Sequence, residues 1–243
     1  MDKVVEGVRA LSYPVLNALF PRSYIDVNRS DKHIDKRLVK DLDAQEDYKK
    51  VNEAYGTGLV RRFCSYSAQV PIYKQRLRFR DVFNRIANYY KPYHAKLSQM
   101  IDKTHAEYGQ AVYISCHSLP SEFRTGEDNP YDIYLGTGDD QNCDPRLTQA
   151  MAELFRQKGY RVAVNHFFKG GHNIRKYGIP KDGRHAMLVE VNRGLYAKES
   201  AFALHENFDA FQKDFTDIMV AFDKISRNLL MPPGPTKGPR SKP

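Results

Sequence analysis

A histidine that follows a short apolar run is the first residue in this sequence whose type and position suggest chemistry. The run Ala111 to Ile114 predicts a buried strand, polar residues follow it up to His117, and Pro120 prevents the strand from continuing. In open α/β sheets, ligands bind at the carboxyl ends of the strands. His117 is therefore a candidate for metal binding or proton transfer, although an imidazole that only hydrogen-bonds its own loop fits the same pattern.

Two further polar groups follow or interrupt apolar runs. Glu190 lies inside the predicted strand Ala186 to Val191, where a carboxylate is costly unless it has a partner. It either points outward or serves as a general base with a pKa tuned by its surroundings. Asn28 and Arg29 follow a short predicted strand, Tyr24 to Val27. The guanidinium of Arg29 can hold a carboxylate at two points, and a surface ion pair is the alternative.

The elements that must position these residues alternate between strands and helices. This alternation predicts an α/β fold with a mainly parallel or mixed sheet. The pattern also predicts strands at Asp132 to Leu135 and Arg161 to Asn165, and the strand that holds Glu190 extends from His185 to Asn192. It predicts helices at Asp81 to about His105 with a kink or break at Pro92, from the Asp144 cap to Lys158, and from Ser200 to about Leu230. Helix-like spacing also runs from Val4 to Leu19, interrupted by Pro14.

The length of 243 residues suits one large α/β domain or two small ones, and we expect a single domain over residues 1–230. The tail, 231–243, is too rich in proline and glycine to pack and is expected to be disordered. No apolar run approaches the ~20 residues that cross a membrane. The three cysteines form no CxxC pair, which favours a reducing cytoplasm.

The formal net charge of +9 comes in part from the basic run Lys74 to Arg80. No recognised nucleic-acid motif accompanies it, so we do not expect a nucleic-acid partner. Attraction of a small anionic substrate is equally compatible with this charge.

Six stretches make the sequence recognisable, and they occur in a fixed order over most of residues 20 to 200. On these stretches the chain resembles the N-formylglutamate amidohydrolase family, which is similar in layout to the zinc carboxypeptidases. They are PRSYIDVNR (Pro21 to Arg29), YYKPYHAKL (Tyr89 to Leu97), SCHSLPS (Ser115 to Ser121), DIYLGT (Asp132 to Thr137), VNHFFKGGHNIRKYG (Val164 to Gly178) and HAMLVEVNRGLY (His185 to Tyr196).

The resemblance implies a three-layer α/β fold, with a mixed, mainly parallel sheet flanked by helices. It implies a zinc-dependent hydrolase of the cytoplasm, with a part in histidine degradation. Its substrate would be N-formyl-L-glutamate or a similar N-acyl amino acid, from which the formyl or related acyl group is removed. His117 matches a zinc histidine, Glu190 matches the general base, and Asn28 and Arg29 match groups that hold the substrate carboxylate. A glycine-rich loop near the substrate is matched by Gly170, Gly171 and Tyr177.

One departure from the family affects the metal. Members begin with a strand that leads into a Ser-Pro-His-Ser-Gly segment, which should supply further zinc ligands, and this sequence shows no such segment. Ser115 also stands where an aspartate is usual. We therefore expect an incomplete metal site, either in a truncated enzyme or in a member that binds a small carboxylate without catalysis. We also expect an open sheet edge beside the Asp26 to Arg29 or Cys116 to Ser118 segment. Such an edge should lead to association, to aggregation, or to coverage by the chain's own segment Val4 to Leu19.

Overall fold

A mixed sheet of four strands lies at the centre of the structure. The structure is a computed structural model that describes residues 1–42, 47–51, 56–64, 69–123 and 130–230. The strands are β3 (Ala111–Leu119), β4 (Ile133–Gly136), β5 (Val162–Val164) and β6 (Arg184–Asn192), and their order in the sheet is β3-β6-β4-β5. The pairs β3/β6 and β4/β5 are parallel, and β4/β6 is antiparallel. The prediction of a mixed, mainly parallel sheet is confirmed.

Helices cover both faces of this sheet, which gives the expected three layers. One face carries α1 (Asp2–Ala10), α4 (Pro145–Gln157) and α6 (Phe208–Leu230), and the other carries α3 (Lys91–Tyr108) and the short α5 (His172–Tyr177). None of the helices within the described ranges is long and apolar enough to cross a membrane.

Strand β6 shows how the sheet is held between these layers. Met187, Val189 and Val191 are fully buried on the side of α1, α4 and α6. Burial of each such side chain contributes about 1.5–3 kcal/mol. Because side chains alternate along a strand, Glu190 must leave the sheet on the opposite face.

The long amphipathic helix is present, but a π turn replaces the predicted kink. Helix α2 (Phe79–Arg85) continues through a π-helical turn, Ile86–Tyr90, into α3. Pro92 lies at the start of α3 and has no N–H, so one carbonyl of the preceding turn lacks its usual donor. The helix widens at this point rather than ending.

The capped helix α4 follows the prediction closely. The Asp144 carboxylate accepts a hydrogen bond from the Arg146 N–H at 2.9 Å, and Pro145 occupies the first helical position. The helix ends at Gln157, and Gly159 follows with a φ of +88°. The cap and the terminating glycine are thus readable from sequence.

The predicted strand Tyr24 to Val27 is wrong, because this segment forms turns. The Tyr24 N–H donates to the Pro21 carbonyl at 2.9 Å, and the Asp26 N–H donates to the Leu59 carbonyl at 2.7 Å. Ile25, Asp26 and Val27 are all buried, so their side chains do not alternate between core and solvent. Asp26 is buried and has cationic partners on several sides. A turn can expose its carboxylate to all of them, whereas a strand in a hydrogen-bonded sheet would direct it to one face.

The start of the last helix also differs from the prediction. Helix α6 begins at Phe208 instead of Ser200. The residues before it form the hairpin β7 (Ala197–Lys198) and β8 (Ala203–Leu204), joined by a 3₁₀ turn, Glu199–Ala201. The remaining short elements are the parallel pair β1 (Val39–Lys40) and β2 (Leu77–Arg78) and the 3₁₀ turns Ser121–Phe123, Pro180–Asp182 and Arg193–Leu195. The expected disordered tail, 231–243, lies outside the described residues.

Candidate active site

The candidate site lies at the carboxyl ends of β3 and β6. His117 and Glu190 are register partners on these two parallel strands. Register partners leave a sheet on the same face, so the imidazole and the carboxylate both point toward the layer of α3 and α5. The sheet therefore brings together the two residues that the sequence singled out for chemistry.

Asn28 joins His117 from the turn that follows Asp26. Its Nδ2 lies 3.3 Å from His117 Nε2, and its Oδ1 accepts a hydrogen bond from the Asn173 N–H at 3.0 Å. The side chain is buried, and the amide nitrogen can donate only to an unprotonated ring nitrogen. This contact accordingly places the acceptor lone pair of the imidazole at Nε2.

Ser115 makes the second contact to the same ring nitrogen. Its Oγ lies 3.1 Å from His117 Nε2 and accepts a hydrogen bond from the Tyr113 hydroxyl at 3.2 Å. The serine hydroxyl can donate to the lone pair on Nε2 and so takes part in orienting the imidazole.

His117 is neutral at physiological pH. Burial is the main cause that lowers the pKa of His117 to about 4, and the positive charge of Arg22 acts in the same direction. A neutral imidazole keeps a lone pair that can accept a hydrogen bond or bind a metal ion.

Glu190 has the opposite perturbation. Burial raises the pKa of Glu190 to about 7, against smaller opposing effects of Arg22 and Arg193. Its carboxylate makes no hydrogen bond to any side chain or backbone group of the described ranges, and its oxygens are not sealed from solvent. A carboxyl group that titrates near neutrality and can meet water is suited to general base catalysis.

Arg29 is held in place by the backbone. Its Nε donates to the Thr57 carbonyl at 3.0 Å and its Nη1 to the Asn28 carbonyl at 2.9 Å. The Tyr90 hydroxyl donates to the Arg29 carbonyl at 2.9 Å. These bonds leave N–H groups on both Nη1 and Nη2, so the end of the Arg29 guanidinium group can still bind a carboxylate.

The glycine loop packs directly on Asn28. A Cβ atom added at Gly171 would lie 2.5 Å from both the nitrogen and the oxygen of the Asn28 amide. Gly170 has a φ of +113°, which favours glycine. The structure therefore brings Gly170 and Gly171 to the site, and the close approach at Gly171 requires the absence of a side chain.

Tyr177 lies behind the site, and its hydroxyl is committed to another residue. It is 2.7 Å from His94 Nδ1, and burial is the main cause that lowers the pKa of His94 to about 4. His94 belongs to α3, so this bond ties α5 to α3. Tyr177 thus holds α5, the helix that follows the glycine loop, in place. No contact between Tyr177 and His117 is present in the described part of the chain.

The sequence reasoning missed one charged pair at this site. Arg22 donates through Nε and Nη2 to one oxygen of Asp26, at 3.2 and 2.8 Å. Burial alone would raise the pKa of Asp26, but Arg22, Arg29 and Arg61 lower it below its usual value. The Asp26 carboxylate also accepts from the Asn28 N–H at 2.9 Å, which fixes the turn that carries Asn28. The four-residue spacing of Arg22 and Asp26 is a signal that could have revealed the pair.

The residues around His117 do not fit a zinc ion with three protein ligands. Within the described ranges, no three His, Cys, Asp or Glu side chains are placed to hold a metal ion. The groups in contact with the His117 ring are an amide and a hydroxyl, whereas zinc prefers histidine, cysteine and carboxylate.

This fold and site define a class: a three-layer α/β protein with an imidazole and a carboxyl group side by side at the carboxyl edge of a mixed sheet. A family model described as N-formylglutamate amidohydrolase matches residues 1–197. The chain belongs to the N-formylglutamate amidohydrolase family.

Individual relatives agree with this assignment. The chain is 30% identical over 173 residues to an N-formylglutamate deformylase of Pseudomonas aeruginosa, covering 68% of this chain and 63% of the relative. It is 29% identical over 172 residues to an N-formylglutamate deformylase of Pseudomonas putida, with 68% and 62% covered. The crystal structure of an N-formylglutamate amidohydrolase from Ralstonia eutropha superimposes with a TM-score of 0.85 at 29% identity, covering 93% of this chain and 82% of that one. The chain thus spans less than two thirds of the length of these two deformylases.

Proposed function

We propose that this chain hydrolyses the amide of N-formyl-L-glutamate or a closely similar N-acyl amino acid. The observation that carries the proposal is the placement of Glu190, with a pKa of about 7, beside a neutral His117 whose imidazole contacts Asn28. The names of the two deformylases and of the superimposed structure support the choice of the formyl amide.

The reaction divides among the residues of the site. Glu190 takes a proton from water, and the oxygen of that water bonds to the formyl carbon. The carbon–nitrogen bond then breaks, and the amine leaves with the proton that Glu190 returns, giving formate and glutamate. The end of the Arg29 guanidinium, with Asn28 beside it, binds a carboxylate of the substrate and holds the formyl carbon near Glu190.

Metal dependence enters the proposal through His117 alone. His117 would be one ligand, and the described residues place no second ligand beside it. The proton transfers assigned to Glu190 do not depend on how such a site is completed.

The test compares the full chain with Glu190→Gln in a formate-release assay on N-formyl-L-glutamate. Gln keeps the shape of Glu but cannot accept the proton, so turnover should fall on the order of a hundredfold or more. Glu153→Gln, on the exposed side of α4, is the matched control and should keep full turnover. Equal turnover in all three proteins would remove Glu190 from the reaction.

A second candidate function is binding of a small carboxylate without catalysis. The observation that favours it is the incomplete set of metal ligands around His117. Calorimetric binding of N-formyl-L-glutamate, together with formate release no faster than in buffer, would support this alternative and exclude the hydrolase.

A further inference from the structure

The helix that follows the glycine loop, α5, turns one of its faces toward Arg29. The Tyr90 hydroxyl connects the two, because it donates to the Arg29 carbonyl at 2.9 Å and lies 3.2 Å from His172 Nε2. His172 is the first residue of α5, and Lys176 follows four residues later, on the same face of the helix. Lys176 therefore lies on the face of α5 that meets Tyr90 and the turn of Arg29.

Aromatic rings fix the position of the Lys176 ammonium on this face. Its Nζ lies 5.3 Å from the centre of the Tyr177 ring, and a cation over such a ring is attracted to it. The Tyr177 ring stacks on His94 with 5.9 Å between ring centres, and the rings of His94 and Tyr90 are 4.1 Å apart. The ammonium is thus part of the aromatic cluster that contacts the backbone of Arg29.

Lys176 carries its charge without a direct partner. Within the described ranges it makes no ion pair and no side-chain hydrogen bond. Partial burial lowers the pKa of Lys176, and the negative charge of Asp31 opposes this effect. Because Asp31 attracts the ammonium without pairing with it, the three N–H donors of Lys176 are available to an anion.

Positive charge extends from Arg29 to Lys176 by way of Lys49. Burial is the main cause that lowers the pKa of His33, and the charges of Arg29 and Lys49 act in the same direction. Burial also lowers the pKa of His172 to about 4, together with the charges of Lys176 and Lys49. Since His172 is neutral and its Nε2 contacts Tyr90, the lysines are the groups of this region that can attract an anion.

The chemistry of the proposed substrate requires cations at two places. N-formyl-L-glutamate has one carboxylate on the carbon that bears the formyl nitrogen, so that carboxylate must stay near Glu190, where Arg29 and Asn28 lie. Its side-chain carboxylate is separated from this carbon by two methylene groups and needs a second cation further from Glu190. Lys176 meets this requirement, because it lies beyond Arg29 on the helix that follows the glycine loop.

We propose that Lys176 binds the side-chain carboxylate of N-formyl-L-glutamate and thereby selects N-formyl amino acids with an acidic side chain. The inference rests on the proposed hydrolysis, since it assigns the second carboxylate of that substrate. The ammonium of Lys176 attracts a charge that a ligand with a neutral side chain lacks.

The test measures binding to the full chain with Glu190→Gln, which prevents turnover. N-formyl-L-glutamate and N-formyl-L-glutamine have the same length and differ in the charge at the end of the side chain. Calorimetry should give at least tenfold tighter binding of the glutamate. Lys176→Met should abolish this preference by weakening only the glutamate, and Lys176→Arg should keep most of it, because the charge is retained.

Two other lysines provide the controls. Lys181→Met removes the same charge from an exposed position on the turn Pro180–Asp182 and should leave the preference intact. Lys49→Met tests the neighbouring cation. Loss of the preference in Lys49→Met, with the preference retained in Lys176→Met, would overturn the assignment to Lys176.

Formate release by the chain with its native Glu190 separates this inference from the proposed function. If Lys176→Met lowers kcat/KM equally for both compounds, the subsite is wrong and the hydrolysis stands. If Lys176→Met abolishes charge-selective binding but neither compound is hydrolysed by the native chain, the subsite stands and the hydrolysis is wrong. Failure of both compounds to bind the Glu190→Gln protein would also overturn the subsite.

Discussion

His117 and Glu190 occupy matched positions on two adjacent parallel strands, yet burial moves their pKa values in opposite directions, to about 4 and about 7. Burial disfavours the charged form of each group, so the histidine loses its proton more readily and the glutamate holds its proton more tightly. Near neutral pH the pair therefore has an uncharged imidazole beside a carboxyl group that titrates.

The first prediction concerns the pH dependence of hydrolysis. If Glu190 must be ionised to accept the proton, kcat/KM should fall about tenfold per pH unit below its pKa of about 7 and level off above it. Formate release measured from pH 5 to pH 9 checks this. A rate that stays constant between pH 5 and pH 7 would show that a different group limits the reaction.

The second prediction concerns stability. Because burial raises the pKa of Glu190 from 4.5 to about 7, the native state binds more protons than the unfolded state between these values, and stability falls as pH rises through this window. Glu190→Gln removes this loss and should stabilise the protein by roughly 1 to 3 kcal/mol at pH 8, and hardly at all at pH 4. Urea unfolding at the two pH values measures the difference. A variant that is less stable than wild type at pH 8 would mean that the carboxylate has a stabilising partner.

The third prediction concerns the Arg29 guanidinium, which we propose binds the substrate carboxylate. Arg29→Lys keeps the charge but loses both the two-point grip and the bonds to the Thr57 and Asn28 carbonyls. Affinity for N-formyl-L-glutamate should fall ten- to hundredfold, with a smaller change in kcat, because charge-assisted hydrogen bonds contribute about 1.5–3 kcal/mol. Calorimetry and steady-state kinetics give the two values. Arg146→Lys, at an exposed ion pair on α4, should leave both unchanged.

The fourth prediction concerns the contact between the glycine loop and Asn28. Gly171→Ala places a methyl group where the Asn28 amide now lies, so it should destabilise the fold by about 1–3 kcal/mol and raise KM by displacing Asn28 from His117. Gly159→Ala has open space around the added methyl but a positive φ, so it should lower stability and leave KM unchanged. Melting curves and kinetics on both variants compare a clash at the site with backbone strain far from it. If both variants raise KM equally, the effect is one of general stability.

The fifth prediction concerns zinc. With one histidine and no second ligand beside it among the described residues, the chain should retain well under one zinc ion per molecule after dialysis, because a partial ligand set forfeits much of the binding free energy. Elemental analysis of the dialysed protein checks this. One tightly held zinc ion that is lost in His117→Ala would contradict the prediction and require ligands from elsewhere.

Local signals made the paired strands and the capped helix predictable. The cap at Asp144 and the apolar run of β6 depend on neighbouring residues, and the sequence predicts both to within a few positions. The meeting of His117 and Glu190 at one edge was implied only by the family resemblance, because the apolar run around Glu190 leaves open whether its side chain points outward.

The support of the site was not predictable in the same way. Contacts such as Asn28 with His117 and Tyr177 with His94 join residues more than eighty positions apart. The turn at Asp26 brings Arg22 and Arg29 from nearby positions and Arg61 from a later segment around one buried carboxylate, and only Arg61 depends on a distant part of the chain. In these places, contacts between distant segments decide between local structures that the neighbouring residues favour about equally.

The π turn between α2 and α3 sets the angular relationship of two packing surfaces. Val82 on α2 packs into the apolar cluster around Ile25 and Leu59, while Leu97 on α3 packs toward the sheet. Since each residue of an α-helix advances the chain by about 100°, removing a single residue from Ile86–Tyr90 would turn one surface by about that angle relative to the other. The extra residue in the π turn therefore sets the rotation between α2 and α3. With that rotation, one continuous helix packs both against the turn that carries Asn28 and against the sheet that carries His117.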